Sequence, residues 1–178
     1  KDKVEFILAP LRRATIRMEG YEARRTDEEI DAIAKKFIRG NLETSLKDTY
    51  EKEEWLYAIS RITKTSNKKS LLEAYRDAYP SDPRAFNDLG VISLINGDLD
   101  AGMNYLDKAY KLKKTDAAIL NNLGVAYLKN GKYNNAKTVL ENSIATMSTP
   151  EANFNLGVVM EKMARYNMAV EKFNNASE

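Results

Sequence analysis

From residue 83 onward, apolar positions fall at helical spacing and the pattern returns on itself. Asn87-Asp88-Leu89-Gly90-Val91 comes back 34 residues later as Asn121-Asn122-Leu123-Gly124-Val125, and 33 after that as Phe154-Asn155-Leu156-Gly157-Val158. The rest of the unit recurs in register. Seven residues past each Leu-Gly glycine stand Gly97, Gly131 and Ala164, followed by Leu99, Tyr133 and Tyr166. Small residues come next (Gly102, Ala136, Ala169), then large apolar ones (Leu106, Leu140, Phe173), then small again (Ala109, Ser143, Ala176). A fixed period in the thirties is the mark of a repeat architecture. A glycine inside a helix costs about 1 kcal/mol relative to alanine, so each is expected where two helices cross too closely for a side chain. Gly97 and Gly131 follow Asn96 and Asn130, as glycines do past a helix C-terminus. The pattern predicts helix pairs 84–96 with 99–112, 117–130 with 133–146, and 150–163 with 166–177.

These residues resemble the tetratricopeptide-repeat (TPR) family over 83–178. Leu-Gly is in place three times; Phe86 and Leu120 take the family's Trp position, and Asn153 departs from it. Ser93, Tyr127 and Met160 take the first Tyr position. The resemblance implies that first helices line a concave groove for a protein or peptide partner. The groove residues would be Asn87, Asp88, Val91, Asn121, Asn122, Val125, Phe154, Asn155 and Val158, with Leu94, Leu128 and Glu161 one turn on. An amide carries both a donor and an acceptor, so the Asn row can clasp a peptide backbone while the valines meet apolar side chains. The alternative is that the amides cap or bond within the array. A family subgroup grips C-terminal carboxylates with basic side chains; the matching places here hold Arg84, Ala118 and Glu151, which argues against such a clamp.

The pattern before residue 83 differs. Val4, Phe6 and Leu8 alternate, Ala9-Pro10 interrupts, and Ala14, Ile16 and Met18 alternate again, which predicts two short strands within 1–25. Leu11 to Arg17 faintly resembles the last strand of bacterial OmpA-like envelope domains, and implies a cell-envelope or periplasmic setting. Residues 26–82 read as helical. Thr26 and Glu29 form a capping-box pattern, Ile30, Ile33, Ala34 and Phe37 give an apolar face, and Gly40 ends that helix. Residues 41–50 are ambiguous. Trp55, Ala58, Ile59 and Ile62 define a helix of about 50–62. Another is expected to be capped by Ser66 and to end before Pro80. This pair, without Leu-Gly, reads as a degenerate repeat.

The predicted fold is mostly α, a TPR-type helix-turn-helix superhelix with a small N-terminal β-strand-containing segment. Its parts are 1–25, 26–82, and repeats at 83–116, 117–149 and 150–178. The absence of a starting Met suggests a processed or excised piece.

Composition narrows the chemistry. The 178 residues contain no Cys and no His, which removes thiol nucleophiles, zinc-thiolate sites and histidine-based catalytic triads. The net charge of +2 is not polarised along the chain. Arg12, Arg13, Arg17, Arg24 and Arg25 cluster, and Lys111 to Lys114 ends a helix, but solvated surfaces explain both, and no nucleic acid is expected. Asp98 and Asp100 read as a turn and helix cap rather than a metal loop. Glu53 and Glu54 read as solvated. No catalytic residue, metal or cofactor is expected. The chain reads as a non-enzymatic scaffold that binds a protein or peptide; the alternative is a structural module of a larger envelope protein. No apolar run is long enough to insert in a membrane. Apolar Met168, Ala169, Val170 and Phe173 near the chain end are expected to be covered either by a continuation of the natural chain, the favoured reading, or by self-association through the C-terminal helix.

Overall fold

A computed structural model describes residues 25–41 and 46–177. The two strands expected within 1–20 and the OmpA-like stretch lie outside these residues. Among the described residues the elements are helices: α1 (Asp27–Ile38), α2 (Leu46–Thr49), α3 (Lys52–Arg61), α4 (Thr65–Ala78), α5 (Pro83–Ile95), α6 (Leu99–Leu112), α7 (Ala117–Lys129), α8 (Tyr133–Thr146), α9 (Pro150–Lys162) and α10 (Tyr166–Asn175). Two compact units divide after Ala85.

The first unit holds α1 to α4. Thr26 accepts from the Glu29 amide (3.3 Å) while Glu29 accepts from the Thr26 amide (2.7 Å), satisfying two donors that a helix start leaves open. Gly40, at φ +72°, closes α1 in the left-handed conformation that glycine adopts without a Cβ clash. Trp55, 1% exposed, is the centre of an aromatic cluster. It meets Tyr75 edge-on at 5.7 Å and Tyr79 at 6.0 Å, a geometry that sets positive ring edges against negative faces.

Two sequence expectations fail in this unit. Ser66 does not cap α4; Lys64 precedes the first helical residue, Thr65, so Ser66 already lies in the first turn. Glu54 is not solvated but 2% exposed. Its Oε2 accepts from the Glu51 backbone amide at 3.1 Å and from Arg25 Nη1. A buried carboxylate is tolerable when paired and hydrogen-bonded, and here it also serves the positive end of α3.

Asp82 is the other buried carboxylate among the described residues of this unit. Arg84 Nε donates to its Oδ1 (2.9 Å), Tyr75 Oη donates to its Oδ2 (2.7 Å), and Lys52 Nζ lies 3.0 Å away. Burial alone would raise this carboxyl; the Arg84 side chain and backbone, Tyr75 and Lys52 outweigh it and hold the group well below the usual carboxylate range. Arg84, the one basic residue at the clamp positions, is therefore engaged by Asp82.

The second unit holds the repeats. α7 packs on α6, α8 and α9, and α9 on α8 and α10. Glycine makes these crossings possible. A Cβ at Gly124 would lie 2.5 Å from Leu140 Cγ, and one at Gly157 would lie 2.6 Å from the Phe173 ring. The turns between paired helices use Gly97 at φ +83° and Gly131 at +71°. The third repeat has Ala164 there, at φ 56°, a conformation costly for a residue with a Cβ. Asn153, in the family's Trp position, is buried and donates to Ser148 Oγ (3.1 Å) and Thr149 O (3.0 Å), so a polar side chain fills an apolar site by bonding to its own cap. Ala169, expected to be bare, is 4% exposed because it belongs to the core shared by α8, α9 and α10.

Candidate partner-binding groove

The groove residues sit on the first helix of each repeat, α5, α7 and α9. Caps fix where two of these helices start. Asp116 accepts from the amides of Ala118 (3.1 Å) and Ile119 (3.3 Å). Thr149 accepts from Ala152 N (3.2 Å), with Pro150 at the first helical position, where its missing N–H costs nothing. Equal starts place the fifth and sixth residues of successive helices side by side.

The result is one line of side-chain hydrogen bonds through three repeats. Asn155 Nδ2 donates to Asn121 Oδ1 (3.0 Å), and Asn121 Nδ2 donates to Asn122 Oδ1 (3.4 Å). Asn122 Nδ2 donates to Asn87 Oδ1 (3.0 Å), and Asn87 Nδ2 donates to Asp88 Oδ1 (3.0 Å). The terminal partner sets the sense. An ionised carboxylate only accepts, so Asn87 must donate to Asp88, which leaves its oxygen to accept from Asn122. The same logic passes along to Asn155. Bonds aligned head to tail polarise one another.

Asn87, Asn121, Asn122 and Asn155 are 3% exposed or less, and Val91, Val125 and Val158 no more than 1%. Asp88 and Phe154 keep part of their surface, and Phe154 rests on Phe173 with ring centroids 5.5 Å apart. Leu94 and Leu128 are buried while Glu161, Lys129 and Lys162 are exposed. The structure thus brings the five polar groove residues into one bonded line. The sequence did contain the signal for these cross-repeat pairs: Asn121–Asn155 and Asn87–Asn122 are separated by 34 and 35 residues, one repeat length.

No group of three His, Cys, Asp or Glu among the described residues could hold a metal ion. No described helix is long and apolar enough to cross a membrane.

A tetratricopeptide-repeat family model matches residues 93–153, which spans the second helix pair and parts of its neighbours. The repeat array has the tetratricopeptide-repeat fold. Solved structures of TPR proteins share its fold. One is a crystal structure of MamA, 19% identical, with a TM-score of 0.67 over 88% of this chain and 94% of that one. Another is YrrB, 18% identical, with a TM-score of 0.65 over 84% of this chain and 77% of that one. YrrB is described as a TPR protein with an unusual peptide-binding site. At this identity the likeness establishes the fold.

Proposed function

We propose that this TPR protein is a non-catalytic interaction scaffold, and that the first-helix face of α5, α7 and α9 receives a segment of a protein partner. The observation that carries this reading is the alignment of like groups. Val91, Val125 and Val158 repeat along the three helices beside the amide line, and the partly exposed Asp88 and Phe154 with exposed Glu161 form its accessible edge. The valines, no more than 1% exposed, belong to the support of this face; Phe154 offers an apolar contact and Asp88 and Glu161 polar ones, which suits an extended or helical peptide. YrrB, of the same fold, is described as binding a peptide. Self-association is a second mode of contact in the same reading, through Tyr166 and Val170 of α10, 64% and 58% exposed.

Peptides selected from a displayed library against the intact chain test the groove. A Glu161→Lys change reverses a charge at an exposed position and leaves the core alone. It should weaken the selected peptides by about tenfold, the equivalent of 1.4 kcal/mol, with helical circular dichroism unchanged. Equal binding to parent and variant would place the site elsewhere.

A further inference from the structure

The repeats share one framework, so the same space recurs at each junction, filled by whatever residues the register brings there. At the first junction two rings pack on the core around Leu123: Tyr110 of α6 and Tyr127 of α7, with Val139 of α8 beside them. Burial, then Asp107 and Tyr110, push the Tyr127 hydroxyl above its usual value, so these groups share one locality. The register carries each residue 33 or 34 positions on. Tyr110 becomes Ile144, Tyr127 becomes Met160, Leu123 becomes Leu156 and Asp107 becomes Glu141. Both rings are lost at the second junction. Tyr127 is half-buried and reaches the surface, whereas Met160 is 0% exposed and stops short of it. What is left above it is a cleft of about 270 Å³. Leu156 and Met160 of α9 form its floor, Ile144 of α8 and Met168 of α10 its walls, and Glu141 and Glu171 stand on either side.

We infer that this cleft receives one aromatic side chain of a protein partner, with a basic residue beside it. The neighbouring junction shows what the space accommodates, since the framework there closes over tyrosine rings. Its volume decides how much enters. Sites for whole small molecules run from about 300 to 1,000 Å³, so this one suits a single side chain. Met160 and Met168 supply thioethers, which adapt to a ring and make favourable sulfur–aromatic contacts. The charges select the flanking residue. Glu141 and Glu171 are paired with Lys137 and Lys172, but the carboxylate side chains are 44% and 60% exposed and the lysines only 27% and 22%. The acidic groups therefore stand further out and meet an incoming cation first. The cleft lies between the second helices α8 and α10, so it is separate from the first-helix face and does not depend on a peptide binding there.

The chain holds six methionines, so methyl-labelled methionine distinguishes the cleft from the rest of the surface by NMR. The probe is the peptide acetyl-Gly-Lys-Phe-Lys-Gly amide, titrated into the full chain. Ring currents should move the methyls of Met168 and Met160 and leave Met103, Met147 and Met163 in place, and the same peptide with Ala for Phe should move none. Ile144→Tyr combined with Met160→Tyr restores the rings of the first junction and should weaken the peptide at least tenfold, read at Met168, with helical circular dichroism retained. If that double variant does not fold, Ile144→Tyr alone, at a half-buried wall position, carries the same expectation. Glu171→Lys, at an exposed position, should weaken the peptide about threefold, the size of an exposed charge pair. Cleft methyls that stay in place, or a filled cleft that binds as well as the parent, would overturn the assignment. Benzyl alcohol binding as tightly as the peptide would overturn it in favour of a free aromatic ligand. Met168 shifts that grow with protein concentration alone, and vanish in Tyr166→Ala, would overturn it in favour of a second copy of the chain.

Discussion

A β-carbon added at Gly124 would enter the space of Leu140, a fully buried side chain. Two effects oppose each other in Gly124→Ala. Alanine gains about 1 kcal/mol of helix propensity, while overpacking costs about 1–3 kcal/mol. The contact is with the branching carbon of Leu140 rather than a flexible tip, so overpacking should win and urea denaturation should show net loss; Gly124→Leu should lose more. Leu140→Ala alone should cost about 2–5 kcal/mol as a cavity, and the double variant Gly124→Ala/Leu140→Ala less than the sum, because the two residues share one space. An unchanged midpoint for Gly124→Leu would refute the crossing. Asp82 supplies a pH test. Its folded-state pKa is depressed, so its contribution is present above the unfolded value of about 3.9 and is lost as pH falls through the folded one. Asp82→Asn should therefore destabilise at neutral pH, and the gap to the parent should narrow in urea titrations below about pH 4. At this scale sequence reading works where geometry repeats, as at Gly90, Gly124 and Gly157. It misses Glu54, because its carboxylate is buried by pairing with Arg25, 29 residues earlier, outside any local pattern.

The helices themselves were legible to within about two residues, since caps, Leu-Gly and turn glycines mark their ends. The short α2 was not, because Leu46 to Thr49 is too brief for a 3.6-residue period to show. The amide line is the feature that depends on elements meeting. From the sequence, Asn122 and Asn155 could face a ligand or one another; the deciding fact is that equal helix starts bring each against the preceding first helix. Replacing Asn155 with Ala removes the donor to Asn121, whose buried oxygen is then unsatisfied. The expected cost is about 1–3 kcal/mol. A double-mutant cycle of Asn122→Ala with Asn87→Ala should show coupling of at least about 0.5 kcal/mol, since the pair shares a bond. Additive effects measured by chemical denaturation would mean that the line is incidental to how the repeats register.

Across a stacked array, each repeat is stabilised by its own packing and by its neighbours, so stability should differ along it. α7 is buried without a break from Ile119 to Ala126, whereas α10 buries Ala169 alone, with Phe173 docked against Gly157. Hydrogen exchange should accordingly be slowest in α7 and fastest among the repeat helices in α10. Two substitutions on α10 separate its inner and outer faces. Phe173→Ala empties the space over Gly157 and should cost about 3–5 kcal/mol in the local opening of α10, at the upper end of large-to-small changes. Val170→Glu alters a side chain 58% exposed and should leave exchange within α10 unchanged in the monomer. Its effect should appear in association instead. Tyr166 and Val170 are the most exposed apolar side chains of this helix, and a like-charged pair across a two-fold contact would be repelled. Sedimentation velocity over a concentration series should then show the parent shifting toward dimer and the Val170→Glu variant remaining monomeric. A parent that sediments as a monomer throughout would exclude pairing through this face, while leaving the packing of Phe173 on Gly157 intact as an independent result.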